Sequence, residues 1–421
     1  MNEKPASIRD VVGARLCTGC GICENVCPGG AISMTRRGGL YEAAVEPDRC
    51  TGCGLCRQVC PGPGVDRSRL GAALFPEDAE VPGLGRCAGC YVGHCADDAT
   101  RRLGSSGGLV TGLLAWLLKT RRVDGAVTIR SVPGRPLEPE AAVIRDPGDL
   151  PAASGSRYCP THFAGVLREI EPGPGRYVFV GLPCHLHALR KLQEARPRFR
   201  ERIPWAFGLC CSGTRTFDAT EYVLDRMGIA PASVVSLDYR RGDGLGAMRI
   251  TCADGRTRTR EYVEYYPALR SFFIPHRCAL CPDHFAELAD LAFGEMRVPE
   301  FPDHRAGTGA VVARGRRGRG LLEEAAAGGA IRLLPIDRAR VLKAQASHLR
   351  RKKRDVPARR KLFRRLGVPV PRDDEPAARP CVRDTLAAWR ATLILYTERA
   401  IGRRRALWWM IDRLHGGKRA S

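Results

Sequence analysis

The apolar positions of the chain alternate with polar ones in many short runs, and only a few stretches carry the wider spacing of a helix. Near the amino-terminal end, residues 31–34 and 40–45 are strand-like runs around the turn Arg36-Arg37-Gly38-Gly39, the pattern of a small hairpin. From about Arg86 the signals become longer and change in kind. Residues 124–130 and 141–145 read as strands, residues 108–119 as a helix with apolar faces, and residues 176–181 as a strand that runs through a cysteine loop into a helix over 185–193. Further strands are predicted at 203–208, 234–239, 247–252, 288–293 and 309–314. The pattern predicts an α+β module followed by an α/β domain with a mixed sheet. The longest apolar stretch, residues 109–118, falls well short of the ~20 residues that a membrane-spanning helix needs.

Composition alters this picture in two places. The chain has 421 residues, room for about three domains, and 44% of them are hydrophobic, so packed cores are expected. Lys and Arg number 68 against 45 Asp and Glu, a net charge of +23, and there are 19 cysteines. CxxC clusters in a long chain point to metal and not to a secreted disulfide scaffold. Residues 1–15 lack the apolar core of an export signal, and the expected compartment is a reducing cytoplasm.

The strongest motif is CTGCGICENVCP, with Cys17, Cys20, Cys23 and Cys27, repeated as CTGCGLCRQVCP, with Cys50, Cys53, Cys56 and Cys60. This C-x2-C-x2-C-x3-C-P run is the pattern of bacterial two-cluster ferredoxins, in which three thiolates of one run and the last of the other hold each 4Fe-4S cubane. Cluster one is expected on Cys17, Cys20, Cys23 and Cys60, and cluster two on Cys50, Cys53, Cys56 and Cys27. A pair of zinc knuckles is the competing reading, but zinc takes four ligands and the repeat offers eight in ferredoxin order. Such a module, over residues 1–70, carries electrons only and implies a catalytic partner domain.

That partner region contains, in order, GSSGGL from Gly104, GSRY from Gly155, FVGLPCH from Phe179, FGLCCSGT from Phe207, CALCPDHFAELADLAFGE from Cys278 and GTGAVVAR from Gly307. The series resembles the coenzyme F-420 (hereafter F420) hydrogenase/dehydrogenase beta-subunit family over about residues 80–370. The resemblance implies FAD, a third 4Fe-4S cluster, and electron movement between a deazaflavin or ferredoxin and a second redox partner. It assigns the third cluster to Cys184, Cys211, Cys278 and Cys281, with Cys210 in an apolar slot. Glu295 departs from the family, which usually has Asp there.

Gly104, Ser105, Ser106, Gly107 and Gly108 lead directly into a helix. Read alone, this loop serves as a helix-capping turn or as a phosphate cradle; the resemblance assigns it to the flavin, with His185 as a further cofactor contact. It is not a GxGxxG fingerprint after a strand, and no Walker motif occurs. Cys87, Cys90, Cys95 and Cys159 are left as a fourth metal site, a zinc knuckle or packed small residues. Cys210, Cys252 and Cys381 are expected to be unligated. No side chain is assigned a catalytic acid, base or nucleophile role.

Residues 338–421 hold 24 Lys and Arg against 7 Asp and Glu, a net of +17. The runs Arg350 to Arg354, Arg359 to Lys361 and Arg403 to Arg405 fall on predicted helices, with Pro369, Pro371 and Pro376 breaking a linker. A basic helical segment over 371–421 is expected. A solvated face is its default reading; an anionic coenzyme, an acidic ferredoxin or other redox subunit, or peripheral contact with an anionic membrane through Ala406 to Ile411 are the functional ones. No nucleic-acid module accompanies the charge. The expected function is an iron-sulfur flavoprotein oxidoreductase working with F420, a small-molecule electron carrier, or with ferredoxin. The alternatives are a non-catalytic electron-transfer subunit and a ferredoxin-dependent reductase of an organic double bond.

Overall fold

A computed structural model describes residues 7–296, 306–372 and 382–415. Cys381 and Pro376 lie outside the described residues. The amino-terminal module contains the short helices Ile8–Gly13, Ile22–Val26 and Leu55–Gln58 and the antiparallel hairpin of β1 (Ile32–Arg37) and β2 (Leu40–Val45). The sequence repeat is also a structural one. In each repeat a left-handed glycine between the second and third cysteines, Gly21 at φ 77° and Gly54 at φ 76°, opens the short helix that carries the third. A side chain at Gly21 would meet the backbone nitrogen of Ala164 at 2.6 Å, so this glycine also permits close docking of the module on the next domain.

After a ribbon of β3 (Glu80–Val81) and β4 (Gly85–Arg86) come β5 (Gly89–Cys95), β6 (Gly125–Arg130), β7 (Glu140–Ile144), β8 (Tyr177–Gly181) and β9 (Trp205–Leu209). A separate antiparallel sheet holds β10 (Val234–Arg241), β11 (Ala247–Cys252) and β12 (Thr257–Glu261), and the chain continues through β13 (Leu291–Glu295), β14 (Gly309–Ala313) and β15 (Ile331–Pro335). The large sheet has eight strands in the order β15-β5-β14-β13-β9-β8-β6-β7. Its central strands β13, β9, β8 and β6 run parallel, and the others are antiparallel to their neighbours. This is the mixed sheet that the sequence pattern predicts.

Strands β8 and β14 are buried at every position, as expected of strands covered on both faces. Helices Leu109–Lys119 and Gly315–Ala327 cover one face through Leu113, Leu117, Leu321 and Leu322. Helix Pro183–Ala195 covers the other through Leu186, Leu189 and Leu192. Strands β3, β4, β5, β12 and β15 have no counterpart among the predicted ones. In β5, GCYVGHC, two glycines and two cysteines blur the alternation, although it is paired on both sides.

The carboxy-terminal part packs on this body. In helix Val382–Gly402, Ala388, Thr392, Arg399 and Ile401 are buried. In helix Trp408–His415, Trp408 and Ile411 join the core around Tyr222 and Phe273. The apolar face offered above for a membrane surface is therefore largely engaged within the protein, with Trp409 and Leu414 left exposed. Among the described residues no helix is long and apolar enough to cross a membrane. The basic runs are not simply solvated either. Lys352, Arg359, Arg360 and Arg399 are buried, and the three arginines donate to the carbonyls of Ala279, Leu280 and Ile274, because a guanidinium can satisfy main-chain oxygens where no carboxylate is at hand.

Candidate functional site

In the amino-terminal module the thiols fall into two neighbourhoods. Burial pushes Cys20 up to about 11 and Cys60 up to about 12. Cys23 is raised by burial and then by its closeness to Cys20, Cys60 and Cys17, so the four cysteines expected to share cluster one do adjoin one another. Cys56 is raised by burial and lies beside Cys53 and Cys27; Cys50 and Cys53 stand on an exposed loop. The shifts report burial, which disfavours the thiolate at each of these positions.

The module is fixed to the α/β domain close to these sulfurs. Phe163 N–H donates to the Cys20 carbonyl at 2.8 Å, Lys191 Nζ to the Cys60 carbonyl at 2.7 Å, and Arg277 to the carbonyls of Pro61 and Gly62. Asn25 bridges Gly21 and Phe163 through its amide nitrogen and accepts from Leu167 N–H.

Across this junction a cavity is lined by Cys184, Cys211, Cys278 and Cys281, with Cys17 and Thr18 on its module side. Cys184 comes from the first turn of helix Pro183–Ala195, with Pro183 at the first helical position, and not from a loop as its sequence context suggested. Cys211 follows β9, and Cys278 sits in the short helix His276–Ala279. Burial raises the Cys184 thiol well above its ordinary value, and Cys278, Cys211, Cys281 and Cys20 add to the shift. The aspartate after this loop, Asp283, is fully buried; burial disfavours its charge, but the hydrogen bond from His187 at 2.8 Å and the positive charges around it hold its carboxyl low. Asp283 then accepts from Glu287 N–H, which fixes the segment behind the cysteines.

A second cavity of about 960 Å³ opens beside the first and shares Thr161, Leu182, His185, Cys211, Gly213 and Thr214 with it. It lies at the carboxyl ends of the parallel strands: Ile129 of β6, Val180 of β8, Leu209 of β9 and Glu295 of β13 all face it. Ligands of open α/β sheets bind at such ends. Gly104, Ser105, Ser106 and Gly108 form part of its wall. Gly107 and Gly108 are left-handed, at φ 76° and 66°, and a side chain on Gly108 would meet the Thr100 carbonyl oxygen at 2.6 Å. Ser105 Oγ accepts from Ser156 N–H, tying this loop to the GSRY segment. On the opposite side stand Tyr158, Tyr262 and Tyr266, with Tyr262 and Tyr266 stacked at 4.5 Å, and Arg240 paired with Glu295 at 2.8 Å. An arginine, aromatic faces and a glycine-serine loop at a helix start are suited to a ligand that combines flat rings with an anionic phosphate group, the chemistry of a flavin with its pyrophosphate.

His185 borders both cavities; burial holds its imidazole down to about 3, and its Nδ1 accepts from Leu182 N–H, so it is a neutral wall group. Cys210 packs against Gly294 on the side of the larger cavity. The Cys87, Cys90, Cys95 and Cys159 group does not converge. Cys90 and Cys95 are an odd number of positions apart on β5 and so face opposite sides of the sheet, Cys95 against Gly112 and Cys90 with its sulfur 3.7 Å from that of Cys87. Cys159 is in a third core beside Tyr239. Among the described residues no three His, Cys, Asp or Glu side chains converge on a single metal ion.

Sequence reasoning missed Arg240, Tyr262, Tyr266, His284, His348 and Lys352, all of which line one of the cavities. His284 stands inside the motif that begins at Cys278 but carried no ligand signal, the others come from elements without a motif, and Lys352 was hidden inside a run of like charges.

Comparisons with known proteins match both parts of the chain. The family model for the carboxy-terminal part of the coenzyme F420 hydrogenase/dehydrogenase beta subunit matches residues 175–339, and the model for the amino-terminal part matches residues 90–168. A 4Fe-4S dicluster domain model matches residues 16–62. The chain is 26% identical over 271 residues to the coenzyme F420-dependent sulfite reductase of Methanocaldococcus jannaschii, a match that spans 61% of this chain and only 40% of that protein. It is 24% identical over 288 residues to the beta subunit of coenzyme F420 hydrogenase from Methanothermobacter thermautotrophicus, covering 65% of this chain and 94% of that one. A chain in a structure of the F420-reducing NiFe hydrogenase complex of Methanosarcina barkeri shares the fold, with a TM-score of 0.52 and 18% identity over 71% of this chain and all of that one. The chain thus belongs to the coenzyme F420 hydrogenase/dehydrogenase beta-subunit family, with a 4Fe-4S dicluster domain preceding the family region.

Proposed function

We propose that this protein is an iron-sulfur flavoprotein oxidoreductase that exchanges electrons between F420 and a one-electron partner such as ferredoxin. The observation that carries the reading is the shared wall of the two cavities: the cysteine-lined one adjoins the ferredoxin module through Cys17 and opens toward the larger one through Cys211 and His185. When bound, the clusters supply one-electron transfer and the flavin supplies exchange between one- and two-electron carriers. Cys17, Cys20, Cys23 and Cys60 would hold one cluster, Cys27, Cys50, Cys53 and Cys56 a second, and Cys184, Cys211, Cys278 and Cys281 a third. The Gly104 to Gly108 loop would cradle the flavin pyrophosphate, and Tyr262 with Tyr266 offers aromatic faces to its rings. His185 would separate the two sites as a neutral, apolar-packed ring against Phe163, keeping water from the gap between them.

The test is anaerobic reconstitution with iron, sulfide and FAD, followed by iron and flavin analysis and by dye reduction with reduced F420. Three clusters, one flavin and F420-dependent dye reduction are expected. Replacing Cys184, Cys278 and Cys281 by Ser should remove about four iron atoms and leave the rest. Protein that binds flavin but does not oxidise reduced F420 would refute the F420 assignment, and unchanged iron in the triple variant would refute the third cluster.

A further inference from the structure

Lys352 lies in the π-helical turn Arg350–Asp355, a type of helix irregularity frequent at functional sites. Its side chain lines the same cavity as Cys184, Cys211, Cys278 and Cys281 and is 4% exposed. Its neighbour Lys353 forms an ion pair with Glu287, yet no hydrogen bond or carboxylate partner engages the Lys352 ammonium among the described residues. A cation on the wall of a largely enclosed cavity is costly without a counter-charge. The neighbouring groups able to become anionic are the cysteines themselves. Arg277, the other cation on the cavity wall, is committed to the carbonyls of Pro61 and Gly62.

A cubane on four thiolates carries net negative charge in both oxidation states and gains one more negative charge on reduction. We propose that Lys352 is the buried counter-cation of the cluster held by Cys184, Cys211, Cys278 and Cys281, and that it raises the reduction potential of that cluster relative to the same cluster without it. The inference rests on the third-cluster reading above. Reduction here adds one electron, delivered through the clusters of the ferredoxin module, and requires no bond change and no proton. Lys352 acts as a positioning residue through charge: it favours the reduced cluster, and so favours the flow of electrons away from the module.

The experiment is a redox titration followed by electron paramagnetic resonance on the reconstituted full chain, comparing wild type, Lys352→Met and Lys352→Arg, with iron counted in each. With a third cluster present, Lys352→Met should make its reduction at least tenfold less favourable, a fall of 59 mV or more for one electron. The two ferredoxin clusters should titrate as in wild type, and Lys352→Arg should restore most of the shift. Loss of the third cluster in Lys352→Met but not in Lys352→Arg would equally support a required charge. An unchanged potential in Lys352→Met, or loss of the cluster in both variants, would overturn the counter-cation role while leaving the cluster assignment intact. Wild-type protein that binds only the iron of two clusters would overturn both.

Discussion

Gly108 shows how a single residue decides the use of a loop. Its left-handed backbone and its closeness to the Thr100 carbonyl leave no room for a side chain, and the helix that follows has no side-chain cap on its first turn. Gly108→Ala should cost about 1–3 kcal/mol from the forced backbone alone, read as a lower urea midpoint, and should reduce flavin content after reconstitution. An unaltered flavin content would separate this loop from the cofactor. His348, on the rim of the same cavity, stacks on His284 at 5.0 Å, and its Nδ1 has no hydrogen-bond partner. Burial, then the nearby His284, Arg351, Arg270 and Lys352, hold its imidazole down to about 4, against about 6.5 in an unfolded chain. Between those values the unfolded state binds the extra proton. The contribution of this histidine to stability is complete above about pH 6.5 and declines as pH falls toward about 4. In His348→Gln the loss of stability between about pH 7 and about pH 5 should be smaller than in wild type, measured from urea midpoints.

At the scale of elements, helix Trp408–His415 carries two adjacent tryptophans with opposite surroundings. Trp408 is buried against Tyr222 and Phe273 and donates its indole N–H to the Gly402 carbonyl at 2.9 Å, whereas Trp409 is half exposed. Trp408→Ala should lower stability by about 3–5 kcal/mol, and Trp409→Ala should stay within about 0.5 kcal/mol, both measured by chemical denaturation. Comparable losses at both positions would contradict the packing described. The contrast also shows where the sequence was readable. The central strands and helix Leu109–Lys119 announced themselves through long apolar runs, because both faces of the sheet are covered. Strand β5 did not, because its burial comes from neighbours distant in sequence, β14 and β15, and not from its own composition. The basic runs misled for a related reason: charge along the chain does not reveal that Arg359 and Arg360 reach main-chain carbonyls of the Cys278 to Cys281 loop.

The candidate site was legible to the same uneven degree over the whole molecule. The eight cysteines of the ferredoxin module could be grouped from spacing alone, since each loop is local. Cys184, Cys211, Cys278 and Cys281 could be grouped only through a family resemblance, since helix, strand end and loop meet there by folding. The cations and aromatics around them come from still farther away and carry no motif. The cysteine-lined cavity thus draws Cys17 from the first module, Cys184 and Cys211 from the middle of the sheet, and Lys352 from beyond its last strand, with Arg359 and Arg360 holding the loop behind Cys278. This long reach has a consequence for the order of assembly. The ferredoxin loops are complete soon after the first 60 residues are synthesised, but the cysteine-lined cavity has no closing wall until the chain has grown past residue 360. On the proposed third-cluster assignment, iron loading of that cavity is a late event in the protein's maturation, made dependent on the very segment whose composition first looked like a loose, charged tail.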